Sequence, residues 1–377
     1  MMHGKNILIL GGGYQALSAS HSLYGHYNTF LMTTDPIALR GRFFCEKLKM
    51  ATSDSEEFVR KFKTILNEFN ISVIIPMGDK DAEFISKHKD EIEKETNARC
   101  AVPDFDVFSK AYNKSMLMEL CAEYNIPHPR TAQIGDNIDE LKDFPYPALI
   151  KPNHSVGARG ITHVNGFDEL KEKLQPVVAK YGPCTLQEFV DNSEYYFNVM
   201  MYRDRHGETK NTVISKIIRF YPLAGGSSSY CYSIENPRLE AICRELLEKL
   251  NWEGFADFDV LDAGNDNFKI IEINPRVPAS VAIAEHSGVQ FPQMIIADLL
   301  EEEIPVFNYK TGVSLRFLGL DIAWFVSSGQ RFKCRPSWFK FCGKDLFYQE
   351  GGAKEFRAFM YSMFIGVSKF FKKKRAQ

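Results

Sequence analysis

No run of about 18 consecutive apolar residues occurs in the 377-residue chain, so no membrane-spanning helix is expected. A secretory leader is not expected either. Met1-Met2-His3-Gly4-Lys5 leads straight into Ile7-Leu8-Ile9-Leu10, too short an apolar run for a signal. The chain has no C-x-x-C motif: Cys45, Cys100, Cys121, Cys184, Cys231, Cys243, Cys334 and Cys342 stand singly, and none is spaced with the nine histidines as metal ligands. Scattered thiols of this kind suit a reducing compartment, and a cytoplasmic protein is the expectation. Net charge is nearly absent at −2, which gives no whole-chain signal for nucleic acid. With 45% hydrophobic and 25% charged residues, disorder, collagen and a disulfide-stapled miniprotein are excluded, and the length suits two or three domains.

Short apolar runs at Ile7–Leu10, Thr29–Met32, Val73–Pro76 and Cys100–Val102 alternate with amphipathic segments near 56–69 and 81–95. That alternation predicts a parallel α/β sheet over residues 1–105. Beyond it come a helix over Lys114–Tyr124, a hinge at Pro127 and Pro129, and a strand at Ala148–Ile150. Strands at 184–190, 195–203, 212–220, 255–262 and 268–273 follow at hairpin-like spacing, which predicts an antiparallel α+β domain.

Gly11-Gly12-Gly13-Tyr14-Gln15-Ala16 follows the first strand and fits G-x-G-x-x-A, with Asp35 near the position of a ribose-binding acid. Taken alone this reads as a dinucleotide site. Physically, free N–H groups at a helix start hold any anion, so a plain structural turn and a substrate-carboxylate site at Gly12 and Gly13 are the other readings.

A more complete nucleotide site lies further on. Lys114, Lys151 and the loop His154-Ser155-Val156-Gly157-Ala158-Arg159-Gly160 combine cations with N–H donors and glycines, as a triphosphate requires. Each component alone reads equally as a surface lysine or a hairpin. In Ile270-Ile271-Glu272-Ile273-Asn274 the two polar residues are two apart, so a strand sends both to one face. With Asp259 on the facing strand they form an oxygen-rich Mg²⁺ site, the alternative being a buried hydrogen-bonded network.

The order Lys114, Lys151, glycine loop, Gln187-Glu188-Phe189-Val190, Glu194, Lys216, Asp259, Glu272-x-Asn274-Pro275-Arg276 resembles the ATP-grasp superfamily of carboxylate–amine ligases, close to its carbamoyl-phosphate-synthetase-like branch. The resemblance covers residues 1–305 and implies a Rossmann-like pre-grasp domain (1–105) and a two-lobed ATP-grasp domain (106–305); it ends there, and residues 306–377 are read as a helical, basic, aromatic extension. It implies that Lys114 and Lys151 contact the phosphates and that the loop bearing Ser155, Gly157, Arg159 and Gly160 closes over them. Gln187, Glu188, Phe189 and Val190 would meet the adenine edge, and Glu194 the ribose. Lys216 would reach the γ-phosphate. Asp259, Glu272 and Asn274 would hold Mg²⁺, with Mn²⁺ as an alternative ion, and Arg276 would steady the acyl-phosphate. The turn Asp191-Asn192-Ser193 departs from the family by lacking its frequent glycine. Arg219, Gly226 and Ser227 lie between the lobes as candidates for a substrate carboxylate.

The activity this implies is an ATP-dependent ligation of a small carboxylate to an amine through an acyl-phosphate, releasing ADP and phosphate. A non-catalytic ATP-binding scaffold is the rival from another class, and a nicotinamide oxidoreductase is the third reading.

Residues 331–377 carry twelve Lys/Arg against three Asp/Glu, a net of +9, which leaves −11 for the rest. Phe356, Phe359, Met360, Met363, Phe364, Val367, Phe370 and Phe371 repeat at helical spacing ahead of Lys372-Lys373-Lys374-Arg375. Such a helix either lies peripherally on the inner face of a membrane, or docks on its own body or on a second subunit in a homodimer.

Overall fold

The computed structural model describes residues 4–135, 137–153, 160–191, 194–223 and 225–375, without the side chains of 353, 354 and 366–375. The N-terminal apolar runs form β1 (Asn6–Leu10), β2 (Asn28–Met32), β3 (Glu46–Leu48), β4 (Ile71–Pro76) and β5 (Arg99–Cys100). They make a parallel sheet in the order β3-β2-β1-β4-β5. Ile7 and Ile9 enter one core cluster and Leu8 and Leu10 another, so β1 is covered on both faces and has to be apolar throughout. Helices α1 (Tyr14–Leu23), α2 (Glu56–Glu68), α3 (Asp79–Lys87) and α4 (Lys89–Glu95) supply the cover. The segment expected as one helix over 81–95 is divided at His88, whose backbone leaves the helical region.

Helix α5 (Phe105–Tyr112) leads into α6 (Lys114–Glu123). Asn113 Oδ1 accepts from the N–H groups of Ser115 and Met116 and starts α6 at Lys114. A small antiparallel sheet follows in the order β6-β9-β7-β8: β6 (Thr131–Gln133), β7 (Ala148–Pro152), β8 (Thr162–Val164) and β9 (Cys184–Glu188). Helix α7 (Phe167–Tyr181) packs on it, and Ile150, Val164, Leu170, Leu174 and Leu186 form the core of this lobe.

The large lobe contains β10 (Tyr196–Arg203), β11 (Thr209–Tyr221), β12 (Ser227–Ile234), α8 (Pro237–Lys249), β13 (Gly254–Asp262), β14 (Phe268–Asn274), α9 (Ala282–His286) and α10 (Phe291–Leu299). Beyond it come β15 (Ser314–Arg316), α11 (Leu318–Ser327), β16 (Leu346–Tyr348) and α12 (Phe356–Arg375). The sheet order is β14-β13-β10-β11-β12-β15-β16. One face carries Phe197, Val199 and Met201 toward α8; the other, with Met200, Tyr202 and Val213, shares a core with Ile7, Ile9 and Leu17 of the first sheet.

The extension beyond residue 305 is structurally continuous with what precedes it. β15 pairs antiparallel with β12 and parallel with β16, so residues 306–377 enlarge the sheet of the large lobe before α12 begins. Helix α12 buries Ala358 and Ser362, and Tyr361 and Ile365 pack on the shared core. Phe356, Met360 and Phe364, at i, i+4 and i+8, are 62%, 50% and 70% exposed. The side chains of Val367, Phe370 and Phe371 lie outside the described residues. Among the described residues no helix is long and apolar enough to cross a membrane.

Candidate active site

In the parallel sheet, chain direction reverses its spread between β1 and β4, and loops leaving the carboxyl ends of those strands border a crevice there. Gly11–Gly13 leave β1, and Met77-Gly78-Asp79 leave β4. Gly12 has φ +76°, and a Cβ on it would stand 2.5 Å from Met77 Cβ, so only glycine fits. Two of the N–H groups at this helix start are already engaged, that of Gly11 by Met32 O at 2.7 Å. Gly13 N–H donates to Gln15 Oε1 at 3.2 Å, and a Cβ on Gly13 would lie 3.2 Å from Asp35 Oδ2. Asp35 Oδ1 meanwhile accepts from Ile37 and Ala38 N–H (2.7 and 3.3 Å), which turns the expected ribose acid into the cap of a local turn.

Asp79 crosses to the large lobe, its Oδ1 accepting from Arg276 Nε at 2.8 Å. Arg276 Nη2 donates to Asn274 Oδ1 (3.3 Å), and its Nη1 lies 3.9 Å from Asp257 Oδ2. Antiparallel register sets Asp259 opposite Glu272 and Asp257 opposite Asn274, and Asn198 pairs with Asp259 from the other side. All five side chains therefore leave one face of β10, β13 and β14. Asn198 Nδ2 donates to Asp257 Oδ1 (2.5 Å) and Asp259 Oδ1 (3.2 Å), and Ser280 Oγ donates to Asn198 Oδ1 (3.3 Å).

Lys114, at the capped start of α6, reaches Glu272 Oε2 at 3.0 Å. Lys151 on β7 is buried and donates to Gln187 Oε1 at 2.5 Å. Burial lowers its pKa to about 8, against the opposing pull of Glu272. Glu272 sits at about 2: burial pushes it up, but Lys114, a hydrogen bond from Asp259 and Lys151 together outweigh that. Asp259 moves the opposite way, raised by burial and by the facing Glu272 carboxylate. Asp257 is raised to about 7, chiefly by burial.

Other expected positions fall differently. Arg219 is buried, and its Nε and Nη2 donate to Asp321 at 2.8 and 3.1 Å while Nη1 donates to Pro336 O at 3.1 Å. Its guanidinium is spent inside the protein, which corrects its assignment to a substrate carboxylate. Lys216 pairs in register with Phe197, on the sheet face opposite Asn198 and Asp259, and its Nζ lies 3.5 Å from the Tyr195 ring centroid. The structure thus keeps Lys216 apart from the carboxylates. The N–H groups of Glu188 and Phe189 are taken by Arg130 O and Pro147 O, and the Glu188 carboxylate by Lys269 and Arg130 N–H. Val190 is buried and Glu194 exposed. Gly226 does come near the carboxylates, because Tyr196 OH donates to its carbonyl at 3.0 Å and Tyr196 lies within the field of Asp259, Asp257 and Glu272. Ser227 is exposed at the start of β12. Gly160 has φ +79° and closes on Pro152 and Tyr181, whereas Ser155, Gly157 and Arg159 lie outside the described residues.

Asp257, Asn198, Ser280, Asp79 and Tyr196 were not among the expected site residues. Asp257 had a usable signal: it stands two before Asp259, the same spacing that singled out Glu272 and Asn274. For Asn198, Ser280 and Asp79 the signal is tertiary alone.

Residues 111–280 match the family model of the ATP-grasp domain. This part of the chain is an ATP-grasp domain. The chain is 22% identical over 246 residues to the D-aspartate ligase of Enterococcus faecium, covering 60% of this chain and 58% of that one. It is 24% identical over 202 residues to the C-terminal section of the carbamoyl phosphate synthase large chain of Aquifex aeolicus, covering 50% and 36%. The chain thus spans about half the length of these curated relatives. An N5-carboxyaminoimidazole ribonucleotide synthetase, solved as its ADP complex, superposes with a TM-score of 0.68 at 16% identity over 88% of this chain and 87% of that one, a likeness of fold. Here Lys151 from β7 of the small sheet and Lys114 from the start of α6 both act on Glu272 of the large sheet.

Proposed function

We propose that the protein is an ATP-dependent ligase that joins a small-molecule carboxylate to an amine through an acyl-phosphate, releasing ADP and phosphate. The observation that carries this reading is the meeting of Lys114 and Lys151 with the Asp259–Glu272 carboxyl pair. Cations on one side and carboxylates on the other form a site for a polyanion together with its counter-ion. Among the described residues no three acidic, His or Cys side chains converge as a ready-made metal cage. Mg²⁺ does not require one, since it takes one or two carboxylates and leaves its other positions to phosphate and water. Asp259 and Glu272, near enough to share a proton, fit that requirement, with Asn274 as a third oxygen donor. A bound Mg²⁺, or Mn²⁺, would neutralise charge on the phosphate oxygens.

The chain's own groups would do the rest. Lys151, its charge unfavourable in its buried setting, would regain stabilisation from a phosphate, and Gln187 would aim it. With the Glu188 and Phe189 N–H groups engaged, the adenine edge would be met by the Val190 N–H and the Glu188 carbonyl, and Glu194 would take the ribose. Arg276, braced by Asp79 and Asn274, would steady the carboxylate as it is phosphorylated, beside Gly12, Gly13 and Gly226. The likeness to a D-aspartate ligase makes an amino acid the first carboxylate to test. Lys151→Ala should weaken MgATP binding in calorimetry about tenfold to a hundredfold, as loss of a charged hydrogen bond implies. A panel of amino acids assayed for ADP release should contain a substrate; tighter binding of NADH than of MgATP would favour the oxidoreductase reading instead.

A second reading rests on the exposed stripe Phe356, Met360 and Phe364 ahead of four basic residues. It supports peripheral contact with the inner face of a membrane, with a homodimer across the stripe as the competitor. Vesicle co-sedimentation and sedimentation velocity separate the two.

A further inference from the structure

Between Val326 and Lys344 the chain has five Lys/Arg, four aromatic residues and no Asp or Glu. In the structure Phe332 and Phe339 are 73% and 58% exposed, and their rings lie stacked with centroids 6.4 Å apart. Phe325 backs both, at 5.5 and 5.7 Å, and Val326 and Phe341 are exposed as well. Lys333, Arg335, Lys340 and Lys344 are exposed and form no ion pair among the described residues.

This segment is held from beneath. Arg219 donates to Pro336 O and Arg316 to Lys340 O, each at 3.1 Å, while Trp338 Nε1 donates to Asp321 O at 3.0 Å. Both arginines are buried and share the buried Asp321. The arginine missing from the substrate site is thus part of a base that presents apolar rings to water from pinned backbone. A loop so anchored does not collapse to hide Phe332 and Phe339, so their exposure is a feature of the folded surface.

We propose that residues 326–344 form a docking surface for an anionic lipid bilayer, with Phe332 and Phe339 entering the interface and Lys333, Arg335, Lys340 and Lys344 meeting the headgroups. This rests on the peripheral-contact reading above and deepens it by assigning the contact to this loop rather than to the stripe of α12. Charge complementarity supports that occupant: residues 331–377 carry +9 against −11 elsewhere, so an anionic surface attracts this end and repels the remainder. Single-stranded nucleic acid would also use basic and aromatic side chains. It has no use for the exposed aliphatic Val326 beside them, whereas a bilayer interface does.

The test is flotation of the full chain with phosphatidylserine/phosphatidylcholine vesicles, with pure phosphatidylcholine and a single-stranded oligonucleotide as the other probes. Binding is expected on the anionic vesicles only and should weaken with salt. The pair Phe332→Ser and Phe339→Ser should cut it about tenfold or more, as loss of two inserted rings implies. Each reversal such as Lys333→Glu should cost about fivefold or more. Circular dichroism and thermal melts verify that the variants fold, and Phe332→Trp should show a blue-shifted emission on vesicles. Absence of vesicle binding by the intact chain overturns both this inference and the peripheral-contact reading. Binding that survives the loop variants but is lost in Phe356→Ser with Phe364→Ser overturns this inference alone. Phe332-dependent binding of the oligonucleotide in place of vesicles overturns it in favour of nucleic acid.

Discussion

At the scale of single residues, the molecule places several carboxyls where water cannot solvate them and lets neighbours decide their charge. Glu272 is held low because Lys114 and Lys151 face it, while burial and Glu272 itself raise Asp259, one strand away. Glu350 is a case outside the site. It is fully buried behind α11 and α12, its Oε1 accepting from Gly319 N–H and Ser362 Oγ at 3.3 Å, with Oε2 lacking a partner. Burial raises its pKa to about 7. A carboxyl with a raised native pKa binds its proton more tightly when folded. Between its unfolded value of about 4.3 and the native value, unfolding therefore releases a proton, and stability falls as pH rises. The loss should be on the order of 3 kcal/mol by pH 8. Glu350→Gln should flatten the fall in melting temperature from pH 5 to pH 8 and leave the variant the more stable at pH 8; parallel melting curves for both proteins across that range would refute it. Nothing local to Glu350 in the sequence announces burial, whereas the two-residue spacing of Glu272 and Asn274 announces a shared face.

At the scale of elements, α12 shows what periodicity can and cannot say. The apolar repeat correctly marks a helix, but the buried side is centred on Ala358 and Ser362, with Tyr361 and Ile365 flanking, while Phe356, Met360 and Phe364 face out. The small residues are inside because α11 crosses there: a Cβ on Gly319 would lie 3.2 Å from Ser362 Oγ. Ser362 also accepts from Tyr14 OH at 2.8 Å, so α12 is tied to the start of α1 next to the glycine loop. Ala358→Leu should therefore destabilise by about 1–3 kcal/mol through overpacking. Phe364→Ser should change stability by about 0.5 kcal/mol or less. Urea unfolding of both variants checks the assignment of faces, and equal costs would contradict it. β12 makes the converse point. Its opening serines, Ser227-Ser228-Ser229, offer no apolar alternation, yet pairing with β11 and β15 on its two sides holds Ser227–Ile234 as a strand.

At the scale of the whole molecule, one buried carboxylate joins parts far apart in the chain. Asp321 on α11 accepts from Arg219 of β11, Arg316 of β15 and Ser229 of β12, all within 3.2 Å. Two guanidiniums on one carboxylate leave an excess positive charge that the rings of Tyr230, Trp338 and Phe341 partly accommodate. Asp321→Asn keeps the shape and removes the counter-charge. It should cost about 3–5 kcal/mol in urea unfolding, as breaking a buried ion pair does. A cost below about 1 kcal/mol would mean that the arginines are solvated or paired elsewhere.

The sequence by itself determined the elements with strong patterns, namely the parallel strands β1, β2 and β4, the glycine turn, the helix α6 from Lys114, and the alternation that puts Glu272 with Asn274. These follow from local rules, since strand and helix periods and glycine's backbone freedom act within a few residues. Tertiary structure alone decided which charged groups are available for chemistry. Arg219 and Lys216 each read as site cations in the sequence, but the first is consumed by an aspartate 102 residues away and the second leaves the wrong face of its strand. Asp79, which no sequence pattern singled out, reaches Arg276 from the end of β4 to the large lobe. A charge acts through what stands within a few ångströms of it, and in a sheet assembled from distant segments those neighbours are set by strand register and lobe packing.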